Sequence, residues 1–217
     1  MGSLESEAGR YPDERAHQVM LTKGFWLGRT QVTQTQWKAV MGTNNPSRFK
    51  GVNRPVEKVS WDDSMEFCWD LTQSECVAGR VPAGYEYTLP TESQWEYACR
   101  AGTTYDYSQL LDAMGWHEDN SDWNTHPVGL KQSNGWGLYD MHGNVNEWCR
   151  DWYAQVSPAG PSIDPIGPTS GAFRVLRGGG WIGDAALCRS AYRNWYEPGG
   201  RLNDLGFRLA LAPQVRR

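Results

Sequence analysis

Apolar positions recur every three or four residues in three short windows, and each window follows a capping residue. In QTQWKAVM, Trp37, Val40 and Met41 share one side. Thr33 stands at the N-cap, Val32 is placed to staple onto the first turn, and Gly42 closes the run. The next window carries Trp61, Met65, Cys68, Trp69 and Leu71 after Ser60, with Asp63 completing a loose capping box and the run stopping before Gly79. In LPTESQWEYACRAG, Thr91 caps, Gln94 reciprocates, Trp95 and Ala98 face inward, and Gly102 ends the helix. The stretches GFWLGRTQV, RVLRGG and LGFRLAL read as strands, and VNEWCRDWY puts Trp148 and Trp152 on one side of a short rigid segment. Between these, residues 43–55 are turn chemistry, Asn134-Gly135 is a tight turn, and Gly137 and Gly143-Asn144 are bends. Residues 103–127 read as a surface excursion and 156–171 as a proline-rich loop. The pattern predicts a single α+β domain over 18–213 behind a disordered tail at 1–17.

One stretch fits no period. In 174–208, Trp181, Ile182, Asp184, Leu187, Tyr192, Asn194, Trp195, Tyr196, Glu197, Leu202, Asn203 and Asp204 repeat neither every two residues nor every three or four. Rigid aromatics mixed with Asn, Asp and Gly between two strands suit a binding surface. The same composition also suits an irregular core segment, since large aromatics are commonly buried.

Composition narrows the function classes. With 24 Gly, 12 Pro and 12 Trp, the chain is built of turns packed around large rings rather than of bundled helices. The net charge of −4 provides no footprint for nucleic acid and no polybasic face for anionic lipid. No apolar run approaches the roughly 18–20 residues of a membrane span, so no direct membrane insertion is expected. The polar start lacks a secretory apolar core; MGSLES matches a loose N-myristoylation pattern and is read as tail. The expectation is a cytoplasmic protein as encoded, with surface display through a partner left open. Five cysteines in no metal-binding spacing agree with reduced thiols, and Cys149 with Cys188 is the one pairing left open.

Four motifs in order, PVEKVSWDDSMEFCWDL, LPTESQWEYACRAG, GLYDMHGNVNEWCRDWY and RVLRGGGW…CRSAYR…LGFRLA, resemble the formylglycine-generating-enzyme (sulfatase-modifying-factor) domain family from about Phe25 to Ala210. The resemblance implies a C-type lectin-like fold with little regular secondary structure. Catalytic members use a copper-binding cysteine pair shortly before the segment matching CRSAYR. Here that stretch, Trp181–Leu187, has no cysteine, and Cys188 aligns with a non-catalytic position. A lone thiolate does not make a two-sulfur Cu(I) site. At the family's disulfide positions, Cys99 would face Ser190 and Cys68 would face Leu209. The related sulfoxide synthases need three iron-binding histidines, whereas His17, His117, His126 and His142 are scattered here. The resemblance therefore implies no catalytic residue and no required cofactor.

The terminal segment most resembles the variable region of proteins diversified by retroelements, in which template adenines are altered. The fixed positions RVLRGG, CRSAxR and LGFR match that frame, which makes Gly178-Gly179 and Arg189-Ser190 framework. The gap residues Gly180, Gly183, Ala185, Gly199 and Gly200 are reachable from AAY, AGY or GAY codons by adenine changes alone, and so are the ten residues Ile182, Asp184, Ala186, Leu187, Tyr192, Asn194, Tyr196, Leu202, Asn203 and Asp204. Trp195 and Glu197 need another template codon. The resemblance implies a non-catalytic protein whose candidate ligand-binding residues, these ten with Trp195 and Glu197, line one exposed face and take a protein or peptide ligand. An oxidase with an altered site and a sensing or effector domain of a signalling system are the alternatives.

Smaller constellations remain. HGNVNEW resembles a calcium site of some family members, which makes Asn144 and Glu147, with backbone of Gly143 and Val145, candidate ligands for a structural calcium ion. The bland reading is that both side chains hydrogen-bond the turn. Asp62, Asp63 and Glu66 read as an acidic first turn, and His117, Asp119 and Asp122 as a solvated loop face.

Overall fold

All three expected helices start at their capping boxes. Thr33, Ser60 and Thr91 hydroxyls accept from the backbone N–H of Gln36, Asp63 and Gln94, and those side chains accept in return from the capping residues' own N–H at 2.8, 2.8 and 2.9 Å. The computed structural model describes residues 1–104, 110–155 and 160–214. Residues 105–109 of the expected excursion and 156–159 of the expected proline-rich loop lie outside the described residues. In chain order come β1 (Val19–Met20), β2 (Trp26–Leu27), α1 (Gln34–Met41), α2 (Trp61–Val77), β3 (Tyr85–Thr88), α3 (Glu92–Arg100) and the one-turn α4 (Leu111–Met114). Then follow β4 (Asn146–Trp152), β5 (Ser162–Ile163), β6 (Arg174–Arg177), a 3-10 turn (Ala185–Cys188), β7 (Asn194–Tyr196), β8 (Leu205–Gly206) and β9 (Ala210–Pro213).

Trp69, expected on the apolar stripe of α2, is exposed. The other expected residues face inward, Cys68 within the core and Trp61, Met65 and Leu71 packed against it, joined by Ser64, Phe67 and Thr72, and Trp69 lies one residue, about 100°, around from Cys68.

The chain ends are joined. β9 lies between β2 and β3, antiparallel to both, pairing Trp26 with Leu211 and Tyr87 with Leu211. A second sheet has the order β7-β6-β4-β8, with β8 parallel to β4. Both faces of this sheet are covered. Trp148 and Leu176 enter one core cluster with Val32, Trp37, Val56, Val59, Phe67, Leu205 and Phe207. Their strand neighbours Cys149 and Val175 enter a second with Trp95, Cys99 and Met141. Period-2 alternation thus feeds two cores from one strand pair.

Arginines bolt the two halves together. Arg208, fully buried, meets Glu147 through Nε and Nη2 at 2.6 and 2.7 Å. Arg177 pairs with Glu96, and Arg193 forks onto Glu92 at 2.6 and 2.9 Å. Arg189 meets Glu14 at 2.6 and 2.8 Å and Glu7 at 2.7 Å.

That last pair corrects the reading of residues 1–17 as a disordered tail. Glu14 has no exposed surface, Ser3 N–H donates to Glu14 O at 2.8 Å, and Tyr11 packs edge-on against Tyr192. The segment is polar because it supplies a countercharge to a buried arginine, and composition reads such a segment as tail. Among the described residues no helix is long and apolar enough to cross a membrane.

Breaking a buried ion pair strands its partner charge, so Glu14→Ala and Glu147→Ala are each expected to lower unfolding free energy by about 3–5 kcal/mol in denaturant titration. A near-neutral Glu14→Ala would restore the tail reading.

Candidate functional site

Segment 174–208 alternates between sealed and open positions. Val175, Leu176, Arg177, Gly178–Gly180, Cys188–Ala191, Arg193 and Leu205–Arg208 are buried. Between them, Ile182, Asp184, Trp195, Glu197 and Leu202 are exposed, and Ala186, Leu187, Tyr192, Asn194, Tyr196, Asn203 and Asp204 are half-buried. No candidate residue is sealed in the core. Trp181 is the exception to the original scatter. It is 4% exposed, its Nε1 donates to Asn203 O at 3.1 Å, and it belongs to the framework.

The turn that launches the segment has a steric reason. Gly179 has φ 71°, and a Cβ there would stand 2.6 Å from Cys188 Sγ and 2.7 Å from Leu187 O. Only a residue without a side chain lets the 3-10 turn fold back so closely. Asp184 caps that turn by accepting Ala186 N–H at 2.7 Å, and Arg189 Nε holds its Ala186 carbonyl at 3.0 Å.

The candidates do not line one face, contrary to expectation. β7 and β8 are opposite edge strands with β6 and β4 between them, roughly 14 Å apart at the usual strand spacing. Strand alternation divides the first group further. Tyr196 packs on the main core cluster, while Trp195 points the other way, onto Phe173 and Tyr153, with ring centroids 4.3 and 5.8 Å away. Tyr192 lies against Tyr11 at 5.4 Å. Residues 197–202 run past the start of α2, where Trp61 N–H donates to Pro198 O and Arg201 forks onto Asp63.

The structure does join 182–187 to 202–204, through Trp181. Phe49 and Trp123 stand edge-on to that ring at 5.3 and 6.4 Å, and a Cβ on Gly180 would touch Asp204 Cβ. Asp204 Oδ2 accepts from Asn146 Nδ2 at 3.2 Å, and burial raises its carboxyl pKa. Trp123 is a residue that sequence reasoning missed. It is 57% exposed, and it and Asp122 both take left-handed backbone, φ 57° and 51°. A bulky residue there is a true outlier. Asn124 Nδ2 holds this turn through Ser121 O and Asp122 O, and Ser121 Oγ donates to Trp181 O at 2.7 Å. The SDWN sequence signals a turn but not its neighbour across the fold.

Neither expected calcium ligand is free for a cation. Both Glu147 oxygens are taken by Arg208, Trp95 Nε1 and Gln31 Nε2, and the Asn144 side chain spans the backbone N–H and C=O of His126. Both side chains are held by hydrogen bonds, but to partners elsewhere in the chain rather than within the turn. Among the described residues no three His, Cys, Asp or Glu side chains cluster for a metal. Cys149 and Cys188 do not pair, and all five cysteines are free thiols. Cys99 Sγ faces Ser190 Oγ at 3.4 Å, and Cys68 shares a core cluster with Leu209, as the resemblance implies. Burial pushes the Cys99 and Cys188 thiols up to about 12.

The chain is 30% identical to the chaperone protein LppX of Paenibacillus barcinonensis, over 96% of this chain and 86% of that one. It is 32% identical to the formylglycine-generating enzyme of Mus musculus, over 89% of this chain but 53% of the enzyme, so it spans about half that relative's length. Treponema denticola variable protein 1 superposes with a TM-score of 0.85 and 35% identity, over 94% of this chain and 89% of that chain. The fold is α+β and C-type lectin-like, of the formylglycine-generating-enzyme type. The family described as Sulfatase-modifying factor enzyme 1-like domain matches residues 1–213, and the chain belongs to it.

Proposed function

We propose that this chain is a non-catalytic ligand-binding protein, a variable protein of a diversity-generating retroelement, whose 174–208 segment takes a protein or peptide ligand. One observation carries the reading: the arginines matching the fixed frame at 177, 189, 193 and 208 are buried and ion-paired, and among the positions matching the variable gaps only Gly180 and Gly200 are buried. A surface arranged this way tolerates wholesale replacement, since exposed substitutions away from special features cost little.

The patch around Trp181 is the best-formed part of that surface. Exposed Trp123, Ile182 and Leu202 supply apolar area with few rotatable bonds, and Asn203 and Asp204 supply adaptable hydrogen bonds. Trp195 with Phe173 forms a separate contact area at the other sheet edge. Against an altered-site oxidase stand the cysteine-free stretch 181–187 and the buried, protonated state of Cys99 and Cys188, because the thiolate is the reactive and metal-binding form.

Peptide-display panning on the folded protein is expected to select ligands whose binding falls by about tenfold or more, or about 1.4 kcal/mol, on Ile182→Asp, Leu202→Asp or Trp123→Ala. Ile182→Asp and Leu202→Asp are expected to change unfolding free energy by only about 0.5 kcal/mol. Selected ligands indifferent to all three variants would count against the surface. Incubation with Cu(I) and a cysteine-containing peptide is expected to yield no aldehyde trapped by a hydroxylamine probe; aldehyde formation would return the oxidase reading. A reverse transcriptase gene and a near-copy of the 3′ coding segment beside this gene are the expected genomic signature.

A further inference from the structure

We propose that a second site, built around Asp151 and separate from the 174–208 surface, binds a small organic ammonium compound with an apolar body. A cavity of about 530 Å3 opens between the start of α3, the end of β4 and the loop after β5. That size is typical of small-molecule pockets. Trp152, Ile163, Pro165, Ile166 and Pro168 give it apolar walls. None of the candidate ligand-binding residues lines it, so its failure would leave the proposed function untouched.

Asp151 also lines the cavity and is 4% exposed. Its Oδ2 accepts Glu92 N–H at 2.8 Å, which accounts for one oxygen as a contact to the first turn of α3. Oδ1 has no hydrogen-bond partner among the described residues. It lies beside Gly167, another lining residue, 3.3 Å from where a Cβ there would stand.

Asp151 makes no ion pair among the described residues. The nearby arginines are engaged by other acids: Arg193, which also lines the cavity, forks onto Glu92, and Arg150 reaches Glu86 at 3.9 Å. A buried carboxylate without a countercharge is costly, and its proton affinity rises in consequence. Burial and the like charge of Glu92 push the Asp151 pKa up to about 7. An ammonium group donating to Oδ1 adds a hydrogen bond and a direct countercharge to a carboxylate that otherwise accepts from Glu92 N–H. A lone open oxygen does not provide the six to eight oxygen ligands that calcium takes, whereas the apolar walls fit the hydrocarbon part of an amine.

Calorimetric titration of the full chain at pH 8 with phenethylammonium, phenethyl alcohol and phenylpropionate separates the possibilities. The ammonium compound is expected to bind at least about tenfold tighter than the alcohol, and the carboxylate not at all. Asp151→Asn keeps an acceptor for Glu92 N–H and is expected to abolish the preference. Ile166→Arg, placing a tethered cation at the rim, is expected to weaken ammonium binding by about tenfold with the fold intact. The charged and titratable groups around the cavity are Glu92 on α3, Arg193 before β7, Arg150 on the same strand as Asp151, His17, and the Met1 α-ammonium, which donates to His17 O at 3.1 Å. With an Asp151 pKa of about 7, ammonium affinity should fall about tenfold from pH 8 to pH 6. Equal binding of ammonium and alcohol, no binding of either, or a preference that survives both substitutions overturns the proposal.

Discussion

Four arginines from three motifs of the terminal segment, RVLRGG, CRSAYR and LGFR, are buried against acids from distant parts of the chain. Arg177 and Arg193 reach α3 through Glu96 and Glu92, Arg208 reaches β4 through Glu147, and Arg189 reaches the first seventeen residues through Glu14. Buried pairs of this kind add little net stability over a well-packed apolar core, but a wrong partner leaves a charge stranded at high cost. Their effect here is registration. Arg189 uses its fork on Glu14, Glu7 and the backbone of Ala186 and Gly9, so one side chain sets the path of the 3-10 turn and the N-terminal segment together. Arg208 likewise spans Glu147 and the carbonyls of Gly28 and Tyr139.

Between those arginines the chain leaves some side chains open, although Asp184 still caps the 3-10 turn, Tyr196 packs on the core and Asp204 holds Asn146. Ile182 and Leu202 leave their side chains open while their backbones are tied: Gly183 N–H donates to Gly180 O, and Lys58 N–H to Leu202 O. A backbone fixed by buried charges and main-chain hydrogen bonds does not depend on which side chain it displays. Cys99 meets Ser190 across a hydrogen bond rather than a sulfur bridge. Cys99, Cys149 and Cys188 are all sealed and held protonated by burial, which suits packing rather than redox or metal chemistry.

Sheet topology limits the display. Because β7 and β8 are the two edges of one sheet, residues that follow each other closely in sequence emerge at separate places. Tyr196 and Trp195 are neighbours, yet one packs toward the main core and the other stacks on Phe173. The patch that does form gathers around Trp181, with Trp123 brought in from a loop far away in sequence.

Local rules written in the sequence determined the three capped helices, because a capping box is satisfied within four residues. They also determined the alternation that sends Trp148 and Cys149 to opposite cores, whereas the division of 174–208 into framework and open positions came from the family resemblance and not from any local rule. Long-range pairing was decided only by the tertiary structure. Nothing in MGSLESEAGRYPDER announces that Glu14 is the countercharge of Arg189, since a polar segment looks the same whether water or a buried guanidinium solvates it. Likewise Glu147 and Asn144 carry the residue types of a cation site, and only the arrival of Arg208, Trp95 and His126 from elsewhere settled how their oxygens are used. Which candidates share a surface also depended on strand order, a property that no spacing along the chain encodes.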